Sequence, residues 1–135
     1  GMAPGADILS YYWDNATTDH NGAINTYGIE LSQNSWGYTV DEAAFGNCYL
    51  YGDYDYDAPD YDEIITGLYG KRISVVFSGG NYGSNAGTSV SPANNPSGFG
   101  VGFVNDADVI HISSSRGPSA DLDAHISSLS PPWPS

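Results

Sequence analysis

Three groups of residues in this chain have the side-chain types that catalysis or ligand binding needs. The first is a serine. Ser89, within Gly87-Thr88-Ser89-Val90-Ser91-Pro92, is a candidate nucleophile. A serine hydroxyl requires a neighbouring base, and the histidines are His20, His111 and His125. His111 is the candidate base, because Asp106 or Asp108 could orient it. Such a pair would make a small serine hydrolase acting first on esters, which cleave more readily than amides; the plainer alternative is a Ser/Thr-rich loop. The second group is acidic. The run Asp53-Tyr54-Asp55-Tyr56-Asp57-Ala58-Pro59-Asp60 supplies the oxygen ligands calcium prefers, with Asp53, Asp55 and Asp57 as candidate ligands. Ala58 and Ile64 stand where an EF-hand needs glycine and glutamate, so that template is not met. A solvated loop explains the same run, since no face of it can be buried without burying carboxylates. The third group is aromatic: Tyr11, Tyr12 and Trp13 in series, or Tyr49, Tyr51, Tyr54 and Tyr56, could form a platform for a sugar or peptide. Tyrosine packed ring-in and hydroxyl-out needs no ligand.

Composition narrows the function classes. The 135 residues carry 16 Asp+Glu against 3 Lys+Arg, a formal net charge of −13. That balance argues against nucleic acid, which is bound largely through cationic contacts to phosphate. It also argues against anionic membrane surfaces, and no apolar run approaches the ~20 residues of a membrane span. Cys48 stands alone, so cysteine-built zinc sites and internal disulfides are excluded. Residues 1–10 have neither a basic start nor a long apolar stretch. Acidity with abundant Gly, Tyr, Ser and Asn fits an extracellular bacterial protein whose leader is not present in this chain.

The elements that must position these residues follow from local pattern. The acidic run reads as a surface loop ending at Pro59. A helix is predicted after it: Asp60 caps, Asp62 and Glu63 favour the first turn, Ile64, Ile65 and Leu68 give an apolar face, and Gly70 ends it. Residues 73–77, a β-branched run before Gly79 and Gly80, predict a buried strand. Further strands are predicted at 6–12, 29–33, 100–104 and 109–112, and residues 78–97 as a long loop. The class is α/β with a mostly parallel sheet, few helices and long Gly/Ser/Asn-rich loops.

Five segments in order resemble subtilisin-like serine peptidases. Gly1-Met2-Ala3-Pro4-Gly5-Ala6 resembles the family's G-[MV]-A-P-x-A strand start, and Asn34-Ser35-Trp36-Gly37 its N-x-S-W-G strand end. Val75-Val76-Phe77-Ser78-Gly79-Gly80-Asn81 is similar to V-V-x-A-A-G-N, and Ala93-Asn94-Asn95 to A-K-N. Ile112-Ser113-Ser114-Ser115-Arg116-Gly117-Pro118 resembles S-x-S-S-R-G-P. The resemblance implies an acyl-transfer peptidase acting on peptides or proteins. It places Asn81 as the oxyanion-hole asparagine, although Asn beside Gly80 also suits a plain turn. It places Ser35, Trp36, Gly37, Gly79 and Gly80 along the substrate.

The departures shape the expectation as much as the matches. In the family the catalytic Asp and His precede the first segment, and the nucleophilic Ser follows the last in a G-T-S-x-A helix start. Gly87–Pro92 spells a near-copy of that serine motif, one residue short before the proline and too soon after Asn81. Residues 1–121 are therefore expected to be a partial subtilisin-like domain holding the oxyanion residue and substrate wall without the triad, hence without ordinary activity. Residues 122–135 read as an irregular Ser/Pro-rich tail, pointing to a gene fragment or a changed reading frame after about Asp121. A sheet lacking the family's central helices would expose an apolar face and favour a homo-oligomer. A non-catalytic acidic module, binding calcium or no cofactor at all, is the alternative of a different class.

Overall fold

The β-branched run before the paired glycines forms the middle strand of a three-stranded parallel sheet. A computed structural model describes residues 3–40, 50–54 and 57–117. Cys48, Asp55, Asp121, His125 and the expected tail at 122–135 lie outside the described residues. A single turn, Trp13–Asn15, leads into helix α1, Ala16–Gly22, which continues as a π-helical turn, Ala23–Tyr27. Gly28, at φ +67°, closes it in the left-handed conformation and gives its N–H to the Ile24 carbonyl. Strand β1, Leu31–Asn34, helix α2, Asp57–Thr66, and strand β2, Ser74–Ser78, follow, and β3 is Phe99–Val101. The sheet order is β1-β2-β3, with Asn34 opposite Phe77 and Ser78 opposite Val101.

One face of this sheet holds the core. Val75 and Phe77 alternate inward from β2 and meet Tyr61 and Ile64 of α2, with Ile24, Ile73 and Ala93 completing the cluster. Phe77 is 1% exposed and stands edge-on to Tyr61, ring centroids 4.7 Å apart. A second cluster joins Val40, Leu50 and Val90 with Tyr38, Tyr51 and Tyr82 packed against it. Residues 99–112, by contrast, are exposed throughout.

Several expected boundaries move for identifiable reasons. Helix α2 starts at Asp57 rather than after Asp60, because Pro59 is tolerated within a first helical turn and Ala58 is fully buried. The acidic run is thus only partly a surface loop. Asp62, one turn further on, accepts the Tyr54 hydroxyl at 2.5 Å and the Ser97 N–H at 3.1 Å. Burial and this carboxylate together push the Tyr54 phenol up to about 12. The helix ends three residues early, at Gly67 with φ +110°, so Leu68 lies past it and is exposed. No strand forms over residues 6–12, which are exposed. Residues 109–112 form only an antiparallel bridge, Val104 to Ile110. The turn between them reverses the chain: Asn105 Oδ1 accepts the N–H groups of Ala107 and Val109, and Asp108 adopts φ +57°. The helix at residues 16–22, with its π-helical extension, has no counterpart in the predicted elements.

Candidate active site

A parallel sheet leaves a crevice where its strands end, and the loops leaving β1 and β2 line it. The cleft has a volume of about 250 Å³. Ser35, Trp36 and Gly37 enter from the end of β1, and Ser78, Gly80 and Asn81 from the end of β2. Tyr38, Tyr82 and Val90 complete its wall. Val90 packs closely against Gly37: a Cβ there would lie 3.2 Å from Val90 Cγ2, so the valine would have to give by a few tenths of an ångström. Tyr82 ties the two sides together. Its hydroxyl donates to the Tyr38 carbonyl at 3.2 Å and accepts the Val40 N–H at 3.0 Å.

Asn81 sits on a bend, exposed, and none of the described residues hydrogen-bonds its side-chain amide. Its backbone is held from behind by Ser115. The Ser115 N–H donates to the Gly80 carbonyl at 3.1 Å, and the Ser115 hydroxyl accepts the Tyr82 N–H at 3.0 Å. The peptide units on both sides of Asn81 are thereby fixed while its side chain stays available. Gly80, at φ +101°, admits this contact, since a Cβ would lie 2.8 Å from Ser115 Oγ. Gly79 is buried and not part of the wall; its N–H bonds the Val101 carbonyl at 2.9 Å.

The other candidates lie elsewhere. Ser89 is half-buried, its N–H bonded to the Arg116 carbonyl and its own carbonyl to the Gly52 N–H. Neighbouring Thr88 accepts the Arg116 N–H through its hydroxyl at 3.0 Å. His111 is exposed and stacked on Phe103, with Nδ1 accepting the Ser113 N–H and lying 2.7 Å from the Ser113 hydroxyl. Among the described residues no hydrogen bond joins Ser89 to His111. The Asp53 carbonyl accepts the Asn94 amide, and Asp57 accepts the Tyr38 hydroxyl at 3.1 Å. Among the described residues no group of three His, Cys, Asp or Glu side chains could hold a metal ion. The sequence did not point to Tyr38, Tyr82 and Val90 as cleft residues or to Ser115 as the brace. Ser115's only signal was its place in the S-S-R-G-P run.

A parallel three-stranded sheet packed on a helix, with a cleft at the carboxyl ends of two adjacent strands, is an α/β architecture. The family model of the subtilases matches residues 1–129, and the chain belongs to that family of serine peptidases. No curated protein sequence matches the chain at a significant level. Among the described residues no helix is long and apolar enough to cross a membrane.

Proposed function

We propose that the cleft is the substrate wall and oxyanion site of a secreted subtilisin-like endopeptidase. The observation that carries this is convergence: Ser35-Trp36-Gly37 and Gly80-Asn81, far apart in sequence, line one cleft with the Asn81 amide unengaged by any described residue. An extended peptide lies along the exposed backbone of Ser35 and Gly37, with a side chain against the Trp36 indole. Attack by a serine hydroxyl on the scissile carbonyl opens its π bond and puts a negative charge on oxygen. The Asn81 Nδ2–H donates to that oxyanion, a stabilisation realised only as the charge develops. Collapse of the tetrahedral intermediate breaks the C–N bond, the amine leaving with the proton that the base took from the serine hydroxyl, and water then hydrolyses the acyl-enzyme. By the family's motif order the nucleophile, base and orienting carboxylate belong to other segments than the one lining this cleft.

The test is Asn81→Ala in the peptidase containing this sequence. The expected result is a large fall in kcat with little change in KM, because the donor serves the transition state rather than the bound peptide. An unchanged kcat would remove Asn81 from the oxyanion role.

A further inference from the structure

Behind the cleft a part-buried chain of polar groups has, with His20 neutral, one consistent assignment of its hydrogens. The Ala16 carbonyl can only accept, so His20 Nδ1 carries the proton, 2.7 Å away. In a neutral imidazole the other nitrogen is then an acceptor, and the Ser32 hydroxyl donates to Nε2 at 2.8 Å. Ser32 Oγ in turn accepts the Asn34 Nδ2–H at 3.0 Å. That fixes the amide with Oδ1 toward the Trp36 indole N–H and the Tyr61 hydroxyl, each 3.3 Å away. His20 and Asn34 are each 8% exposed, and the His20 ring stands edge-on to Tyr61 at 5.4 Å. The chain therefore runs from helix α1 to the wall of the cleft.

We propose that neutral His20 is a positioning residue for this site: through Ser32 and Asn34 it holds the Trp36 indole in its cleft-lining orientation, and protonation of His20 loosens that wall and weakens peptide binding. A proton on Nε2 turns the acceptor into a donor. The hydrogen of the half-buried Ser32 hydroxyl then loses its partner, and a flip of the Asn34 amide would offer it Oδ1 at the expense of the Trp36 indole N–H.

The groups around His20 set the direction of its titration. Its own helix contributes Asp19. The preceding turn contributes Asp14, which is exposed and bonded to Asn15. Helix α2 contributes Tyr61, with Asp57 nearby, and β1 contributes only the uncharged Ser32 and Asn34. Burial dominates and lowers the histidine below its ordinary 6.5, outweighing the Ala16 carbonyl and the Asp19 carboxylate. The native state thus resists the proton more than the unfolded chain does. The stabilisation from neutral His20 is complete above about 6.5 and is lost as pH falls through the lowered native value.

The peptide-binding half of this inference rests on the function proposed above; the indole half does not. The test is fluorine NMR of protein labelled with 5-fluorotryptophan, the Trp36 signal being assigned with Trp36→Phe, followed from pH 8 to pH 5. The His20 ring proton and the affinity for an uncharged, end-blocked peptide are followed in parallel. The expected result is a Trp36 signal that moves with the His20 midpoint and a peptide Kd that rises at least threefold across it. His20→Gln should flatten both responses with its circular dichroism unchanged. Ser32→Ala should uncouple the Trp36 signal while His20 still titrates, so a poorly folding His20→Gln does not end the test. A Trp36 signal that ignores His20 titration, or responds unchanged in His20→Gln, overturns the inference even if peptide binds. A Trp36 signal that follows His20 with no peptide bound at any pH supports the indole half and overturns the substrate assignment.

Discussion

The two halves of this molecule use apolar residues in opposite ways. Around α2 and β2 they are largely hidden: Phe77, Tyr61, Ile64 and Val75 are at most 1% exposed, although Leu31 at the start of β1 is 61% exposed. Across residues 99–112 they face outward, with Ile112 75% and Phe99 60% exposed. The first half is stabilised by its own packing and presents a cleft whose polar groups are braced from behind. The second offers little burial to the isolated chain, so its side chains contribute little to stability, although Phe103, Val109, Ile110 and Ile112 are as apolar as those of the core. A site that depends on ångström placement belongs on the self-supporting half, and the cleft is found there.

The comparison can be broken at its largest effect first. Phe77→Ala should cost about 3–5 kcal/mol in denaturant unfolding, the range for truncating a buried aromatic, whereas Ile112→Ser should stay within about 0.5 kcal/mol. Similar losses at both positions would erase the distinction. In a peptidase containing this sequence, Asn81→Ala should lower kcat about 10²–10³-fold, equivalent to about 2.7–4 kcal/mol, the range established on a subtilisin. Ser115→Ala should leave the Tyr82 N–H without its acceptor, at about 1–3 kcal/mol, and speed hydrogen exchange at Tyr82. Ser115→Thr, which keeps the hydroxyl, should restore protection; equal exchange in all three proteins would show that Ser115 does not brace the Asn81 loop. The smallest effect concerns association. Size-exclusion should show the chain pairing through the exposed apolar segment 99–112 and Ile112→Ser shifting it toward monomer, while a monomeric parent would show that the outward apolar residues recruit no second copy.

What the sequence revealed follows the same division. Strand β2 was legible because Val75, Val76 and Phe77 form a continuous apolar run closed by glycines, a pattern that fits a covered strand. The ends of β1 and β2 were legible because Asn34-Ser35-Trp36-Gly37 and Gly79-Gly80-Asn81 resemble one family's motifs. Their meeting in one cleft needed the sheet register. Helix α1 and its extension were missed because the inward positions, Ala16, His20, Ala23 and Ile24, have helical spacing but include a histidine, with weak helix formers such as Thr17, Thr18 and Gly22 between them. The apolar run at 109–112 suggested a strand, yet the Asn105–Asp108 turn folds it back antiparallel on an uncovered surface. Local pattern reports apolarity but not whether anything lies opposite to bury it. The brace from Ser115 to Asn81 and the chain from His20 to Trp36 join residues distant in sequence, and no spacing rule discloses them.

The central claim is that peptide binds where β1 and β2 end. The most direct test is an amide NMR titration of the isotope-labelled chain with an uncharged, end-blocked extended peptide at pH 8. The account predicts that the largest shifts fall on the Trp36 indole N–H and on the Gly37, Gly80 and Asn81 amides, with residues 99–112 unmoved. Shifts concentrated in 99–112, with the cleft silent, would contradict it.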